Sequence, residues 1–307
     1  MSIIEITINN KTERKNIFIL SNSFEILNSK NTQMLINNKN VPFSKNLLIE
    51  SGISKIELKI NELIDDCSCM FYGCKDINEV QFLNFEKNKI KNMNKMFIFC
   101  ENLSKINLSS LNTEFVNNMS QLFQDCVNLK DLNISNFNTG NVKYMDNMFS
   151  NCKNLISLDL SYFNTKKLLS MTNMFSNCEK LEYLNLSNFS NENVINLSQM
   201  CFHCLNLNTL ILNNFKTEKV EKMCFMFENC EKLNEIDVSS FNTKNVLDMT
   251  CMFMNCLNLK KLDLRNFEIN KVEKMINFLM NCNAEVLVNK EFYEKCDEKT
   301  KNKLKIN

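Results

Sequence analysis

Cysteine recurs at Cys74, Cys100, Cys126, Cys152, Cys178, Cys204, Cys230, Cys256 and Cys282, a step of 26 residues without insertion or deletion. A chain with a fixed period of this length is built from one repeated unit, and copies must stack to bury together what none can bury alone. Other positions keep the same period. Counting from Cys152, apolar residues fall at Leu155, Leu158, Leu160, Phe163, Leu168, Met171, Met174 and Phe175. The unit reads C-x-x-L-x-x-L-x-L-S-x-F-x-T-x-x-V-x-x-M-x-x-M-F-x-x.

Two spacings coexist inside it. The L-x-L portion alternates with period two, the mark of a half-buried strand. The V-x-x-M-x-x-M-F portion has a spacing of three, which predicts a short α-helix or 3₁₀ turns. Thr113, Thr139, Thr165, Thr217 and Thr243 precede that segment, where a side-chain oxygen can cap exposed N–H groups. The expected fold is therefore an α/β solenoid: one parallel β-sheet face, short helical returns, and about nine coils over a rod of roughly 45 Å. The expected boundaries are an N-terminal β cap over 1–47, a solenoid of one degraded and eight full repeats over 48–282, and a C-terminal cap over 283–307. Ile3–Ile8 and Ile17–Leu20 read as a hairpin lid on the first coil, and Glu285–Val288 as a last edge strand with a lysine-rich tail over it.

Composition narrows the reading. With only 3 Gly and 1 Pro in 307 residues, the turns must use another residue, and Asn is the next most able to adopt the left-handed backbone. The net charge of +1 gives no electrostatic argument for nucleic acid or an anionic membrane as partner. No run of 18 apolar residues occurs, and the first ten residues carry no basic n-region or apolar h-region. Those features, with 15 cysteines, point to a reducing cytosol and unpaired thiols.

The segments Asn136-Phe137-Asn138-Thr139-Gly140-Asn141-Val142 and Met148-Phe149-Ser150-Asn151-Cys152 resemble the BspA-like leucine-rich-repeat family in its 26-residue, PARCEL-type form. The resemblance covers about residues 50–282. It implies a surface protein adhering to host, matrix or neighbouring-cell proteins, with no catalytic residues to carry over. Cell surface and cytoplasm thus both remain open as locations.

Candidate chemistry is sparse. The cysteine ladder reads as core packing, since an unpaired Cys behaves as a small buried hydrophobe. Cys67-Ser68-Cys69 and Cys201-Phe202-His203-Cys204 have loose ligand spacing, but they lie five coils apart and cannot share an ion. With one His, no glycine-rich phosphate loop and no nucleophile elbow, no catalytic, cofactor or metal residue is assigned. The strand face is the binding candidate. Its two outward columns run Gln81, Asn107, Asn133, Asp159, Asn185, Ile211, Asp237, Asp263 and Glu79, Lys105, Asp131, Ser157, Tyr183, Thr209, Glu235, Lys261. Six carboxylates against two lysines give the columns a charge of −4. Binding residues are expected among Tyr183, Ile211, Ile156 and Tyr162, an apolar patch, and the acids Asp131, Asp159, Glu235, Asp237 and Asp263. The expected partner is a protein, with no nucleic acid and no membrane insertion. An intracellular scaffold of the same fold and a cysteine-based metal or redox responder are the alternatives.

Overall fold

A computed structural model describes residues 1–306; Asn307, the last residue of the expected C-terminal cap, lies outside the described residues. The chain is a β-solenoid of about eight turns, with one apolar core running from end to end. An N-terminal block comprises β1 (Ser2–Asn10), β2 (Lys15–Phe18), β3 (Thr32–Ile36), β4 (Lys39–Val41), β5 (Asn46–Ile49) and β6 (Gly52–Ile60). The coils then contribute β7 (Glu79–Leu83), β8 (Lys105–Asn107), β9 (Ser157–Asp159), β10 (Tyr183–Asn185), β11 (Thr209–Ile211) and β12 (Lys261–Asp263). The chain ends in β13 (Glu285–Val288), α1 (Lys290–Lys295), α2 (Glu298–Lys301) and β14 (Leu304–Ile306).

The N-terminal strands do not form the expected hairpin. β1 lies between β6 and β7, antiparallel to both, and buries Ile4, Ile6 and Ile8. Both edges of β1 are thus occupied, so β2 pairs with β5 instead. At the other end β13 is not the edge strand: β14 pairs parallel with its far side, and Phe292 of α1 closes the core.

The returns contain no helix among the described residues, contrary to the spacing of three. Each such step is a turn closed by an i→i+3 hydrogen bond, as from Met148 N–H to the Met145 carbonyl (3.2 Å) and from Cys152 N–H to Phe149 (3.1 Å). A turn places i and i+3 inward as a helix does, which is why the pattern reads as helical. The backbone differs because two residues per coil are left-handed, such as Asn147 (φ 53°) and Asn151 (φ 60°). Left-handed residues break the right-handed run that a helix needs. Eight of the seventeen non-glycine residues at these corners are Asn, so Asn is the residue most used there in place of glycine.

Breaking the helix turns alternate N–H groups toward the next coil. Met145, Asn147, Phe149 and Asn151 donate to the carbonyls of Ser170, Thr172, Met174 and Ser176 at 2.8–2.9 Å. These arcs repeat along the rod and hold it together. Behind them Phe71, Phe97, Phe123, Phe149 and Phe175 form a continuous ring stack at centroid distances of 5.1–5.8 Å.

The cysteine ladder has a bonding role besides packing. Six of its Sγ atoms reach back to a Phe carbonyl of the preceding coil, as Cys152 to Phe123 (3.1 Å) and Cys178 to Phe149 (3.1 Å), and Cys230 reaches the Cys201 carbonyl (3.2 Å). Cys is small enough for a site with no spare volume and still carries a weak donor. The threonine ladder differs from its expected role. Thr139 Oγ1 accepts the N–H of Asn164 (2.8 Å) and donates to its carbonyl (3.1 Å), joining successive coils instead of capping a helix in its own.

One coil interrupts both the threonine ladder and the ring stack. Asn191 stands where five other coils have Thr, is wholly buried, and neither its amide nitrogen nor its oxygen has a partner. Cys201 occupies the slot of the stacked Phe rings. An unsatisfied buried amide costs about 1–3 kcal/mol. Asn191→Thr is therefore expected to raise unfolding stability by about 1–3 kcal/mol, read from the urea midpoint. An unchanged or lower midpoint would show that the amide already has a partner.

Candidate binding face

The candidate face is built by strands only three residues long. In β9, β10 and β12 the central Leu158, Leu184 and Leu262 point into the core, so the flanking residues must face outward. Side chains two apart therefore form the two expected columns, ordered by parallel pairing such as Tyr183 with Ser157 and Thr209.

The face is continuous in side chains but not in hydrogen bonds. Strand pairing is interrupted at Asp131–Asn133 and again at Glu235–Asp237, leaving three blocks where one sheet was expected. At the interruptions the inward Leu132 and Ile236 are only half-buried, as is Ile106 in β8 beside the first break. A trough lies at each break. The larger, about 560 Å³, runs from Glu5 and Thr7 of β1 across Glu79, Gln81, Lys105 and Asn107 to Asp131 and Asn133. The second, about 470 Å³, is bounded by Asp237, Asp263, Arg265 and Asn266. β1 thus extends the face beyond the repeats, an addition that repeat counting alone does not reveal.

The acids are not equivalent. Glu79 pairs with Lys105 (3.3 Å), and Asp263 with Arg265 (2.6 Å). Arg265 holds the Asp263 carboxyl below its usual range. Asp237 is also lowered, by the hydroxyl and N–H of Ser239. Asp131, Asp159 and Glu235 are exposed and make no ion pair among the described residues. The surviving negative charge is therefore concentrated at Asp131, Glu235 and Asp237, on either side of the apolar patch, and at Asp159 within it.

That patch spans β9 to β11. Tyr183 and Ile211 are half-buried, and Ile211 stands opposite Asn185, the outward neighbour of Tyr183. Ile156 and Tyr162 flank β9 and are exposed, Tyr162 to 63%. Backbone pairing places Tyr183 and Ile211 on adjacent strands, with Ile156 and Tyr162 in the segments that enter and leave β9. Further exposed apolar residues lie elsewhere on four coils, at Phe115, Tyr144, Leu169 and Ile195. Leu169 and Ile195 share one column of the 26-residue unit, a signal the sequence carried.

The cysteine-rich segments do not assemble. All 15 cysteines are unpaired, and among the described residues no group of three or more His, Cys, Asp or Glu is arranged to hold a metal. Cys67 fills a Met slot in the core. His203 is a left-handed corner residue whose ring lies tilted against Phe202 at 4.6 Å, beside Glu228, whose carboxyl burial raises. No helix among the described residues is long and apolar enough to cross a membrane.

No curated protein matches the sequence. Residues 65–185 and 169–290, which together span most of the chain and all but the ends of the solenoid, match the family described as "Mycoplasma protein of unknown function, DUF285". The chain belongs to that family, as a solenoid of stacked 26-residue coils.

Proposed function

We propose that the chain is a non-enzymatic, BspA-like leucine-rich-repeat module that binds another protein through its strand face, in adhesion or in an equivalent scaffolding role. The observation carrying this reading is the run of outward columns, where unpaired acids flank an apolar patch on one continuous surface. Buried aromatic and aliphatic anchors supply most interface energy, and surrounding charge selects the partner and speeds encounter. The face therefore suits a partner with a complementary basic rim and an apolar centre. A shallow open trough offers no enclosed place for water-excluded chemistry.

Two variants separate the contributions. Tyr183→Ala with Ile211→Ser is expected to weaken capture of the partner at least about a hundredfold, the effect of losing a hot spot worth about 3 kcal/mol. Asp159→Lys with Asp237→Lys should instead slow association and reduce its dependence on salt. Surface plasmon resonance with the intact array, against partner recovered from host or cell extracts, measures both. Partner binding unchanged by both pairs, with folding intact, would remove the strand face from the account.

A further inference from the structure

We propose that the last arc of the solenoid is a second binding site, which takes an extended segment of another polypeptide along its open edge. Inside the rod every arc donates alternate N–H groups to the next coil. Met249, Cys251, Phe253 and Asn255 reach the carbonyls of Lys274, Ile276, Phe278 and Met280 at 2.8–3.0 Å. The equivalent donors of the last arc, on Met275, Asn277, Leu279 and Asn281, meet no acceptor among the described residues. A row of unpaired N–H groups at the edge of an ordered ladder is a template for another chain.

The end is closed selectively. β13 and β14 continue the strand side, Phe292 packs at 6.2 Å from Phe278 over the core, and Lys303 Nζ donates to the Leu279 and Cys282 carbonyls (3.1 and 3.0 Å). The donor row is left open. A groove of about 200 Å³ runs beside it, between residues 276–280 and Asp297, Thr300 and Lys303 of the C-terminal cap.

Side chains point to the chemistry of the occupant. One column of the arc holds Ser68, Asn94, Ser120, Asp146, Thr172, Ser198, Cys224 and Thr250, all small or polar, and then Ile276 in the terminal coil alone. Ile276 is 66% exposed. An isolated large aliphatic beside unpaired donors fits a peptide that offers carbonyls at alternate residues and an apolar side chain between them. The donors repeat at every second residue, which is the spacing of backbone carbonyls and which the interior arcs already satisfy.

The test uses the full chain and a synthetic peptide of residues 142–152, whose carbonyls accept such a row inside the rod. Amide hydrogen exchange is followed for the segment 275–281. Without peptide these amides are expected to exchange at least about tenfold faster than those of the interior arcs, and with peptide to slow by about tenfold or more. Ile276→Asp, a change at an exposed position, is expected to abolish the slowing and leave the thermal unfolding midpoint in place. The proposal is overturned if the terminal amides are already as protected as interior ones, if saturating peptide leaves them unchanged, or if protection persists in Ile276→Asp.

Discussion

Raising the pH to about 10 is expected to unfold this protein cooperatively, through its buried thiols. Nine thiols, those of Cys67, Cys74, Cys100, Cys126, Cys152, Cys178, Cys201, Cys230 and Cys256, are held above their ordinary value of 9.0, chiefly by burial. In the unfolded chain the same thiols ionise near that ordinary value. A folded value raised in this way leaves the stability intact below about pH 9 and removes it as the pH climbs toward the folded value. One unit above the unfolded value, each thiol favours the unfolded state by about 1.4 kcal/mol. Nine together favour it by about 13 kcal/mol, which lies within the whole stability range of roughly 5–15 kcal/mol for a folded domain. Far-UV circular dichroism across a pH series under reducing conditions should show one steep loss of signal near pH 10, reversed on return to pH 8. A structure persisting to about pH 12 would mean that the ladder thiols are not buried as a row.

The same burial makes the ladder inert at neutral pH. Cys69 and Cys224, which are partly exposed, are expected to react with a thiol reagent in the native protein, and the ladder only after denaturation. Rapid native labelling of Cys126 or Cys152 would contradict the packing described above.

The legible and illegible parts of the fold separate along a physical line. Burial every 26 residues was legible because it is imposed by stacking: Cys152, Leu158 and Phe163 each occupy a place that the neighbouring coils share. The backbone of the return was not. Met145, Met148 and the later ladder residues have the spacing of one helix face, and only the left-handed Asn147 and Asn151 separate a chain of turns from a helix. Asn at those corners was a readable signal, since it tolerates positive φ where most residues do not. Phe225 and Lys95 at equivalent corners hid it. The N-terminal strands were misread for another reason. β1 and β2 are adjacent in sequence, but which edge each occupies depends on β5, β6 and β7, contacts that local pattern does not encode.

The candidate face was legible in the same uneven way. Alternation around Leu158 and Leu184 fixed which residues point outward, so Asp159, Tyr183 and Ile211 lie where the pattern places them. The breaks at Asp131–Asn133 and Glu235–Asp237, and the trough that β1 helps to build, come from packing between coils and between the cap and the array.

Removing one coil is the second large test, and it bears directly on what holds the molecule together. Deleting residues 152–177 joins Asn151 to Cys178 and leaves every arc, the cysteine ladder and the threonine ladder in register. The four N–H donors of the arc ending at Asn151 would then meet the carbonyls that the coil after the deletion presents at Asn196, Ser198, Met200 and Phe202. Deleting residues 152–164 removes half a coil and joins Asn151 to Thr165. Every later residue is then half a turn out of place, so inward Leu, Met and Phe would be set against outward Asn and Lys. Repeat arrays gain their stability from such nearest-neighbour interfaces, so the loss is not local. The measurement is urea unfolding of the intact chain and both deletions, followed by circular dichroism. The expected result is a single sharp transition for the 26-residue deletion, with an m-value reduced in proportion to its length, and no cooperative transition for the 13-residue deletion. Equal loss of cooperativity in both, or its survival in both, would contradict a rod held by coil-to-coil register.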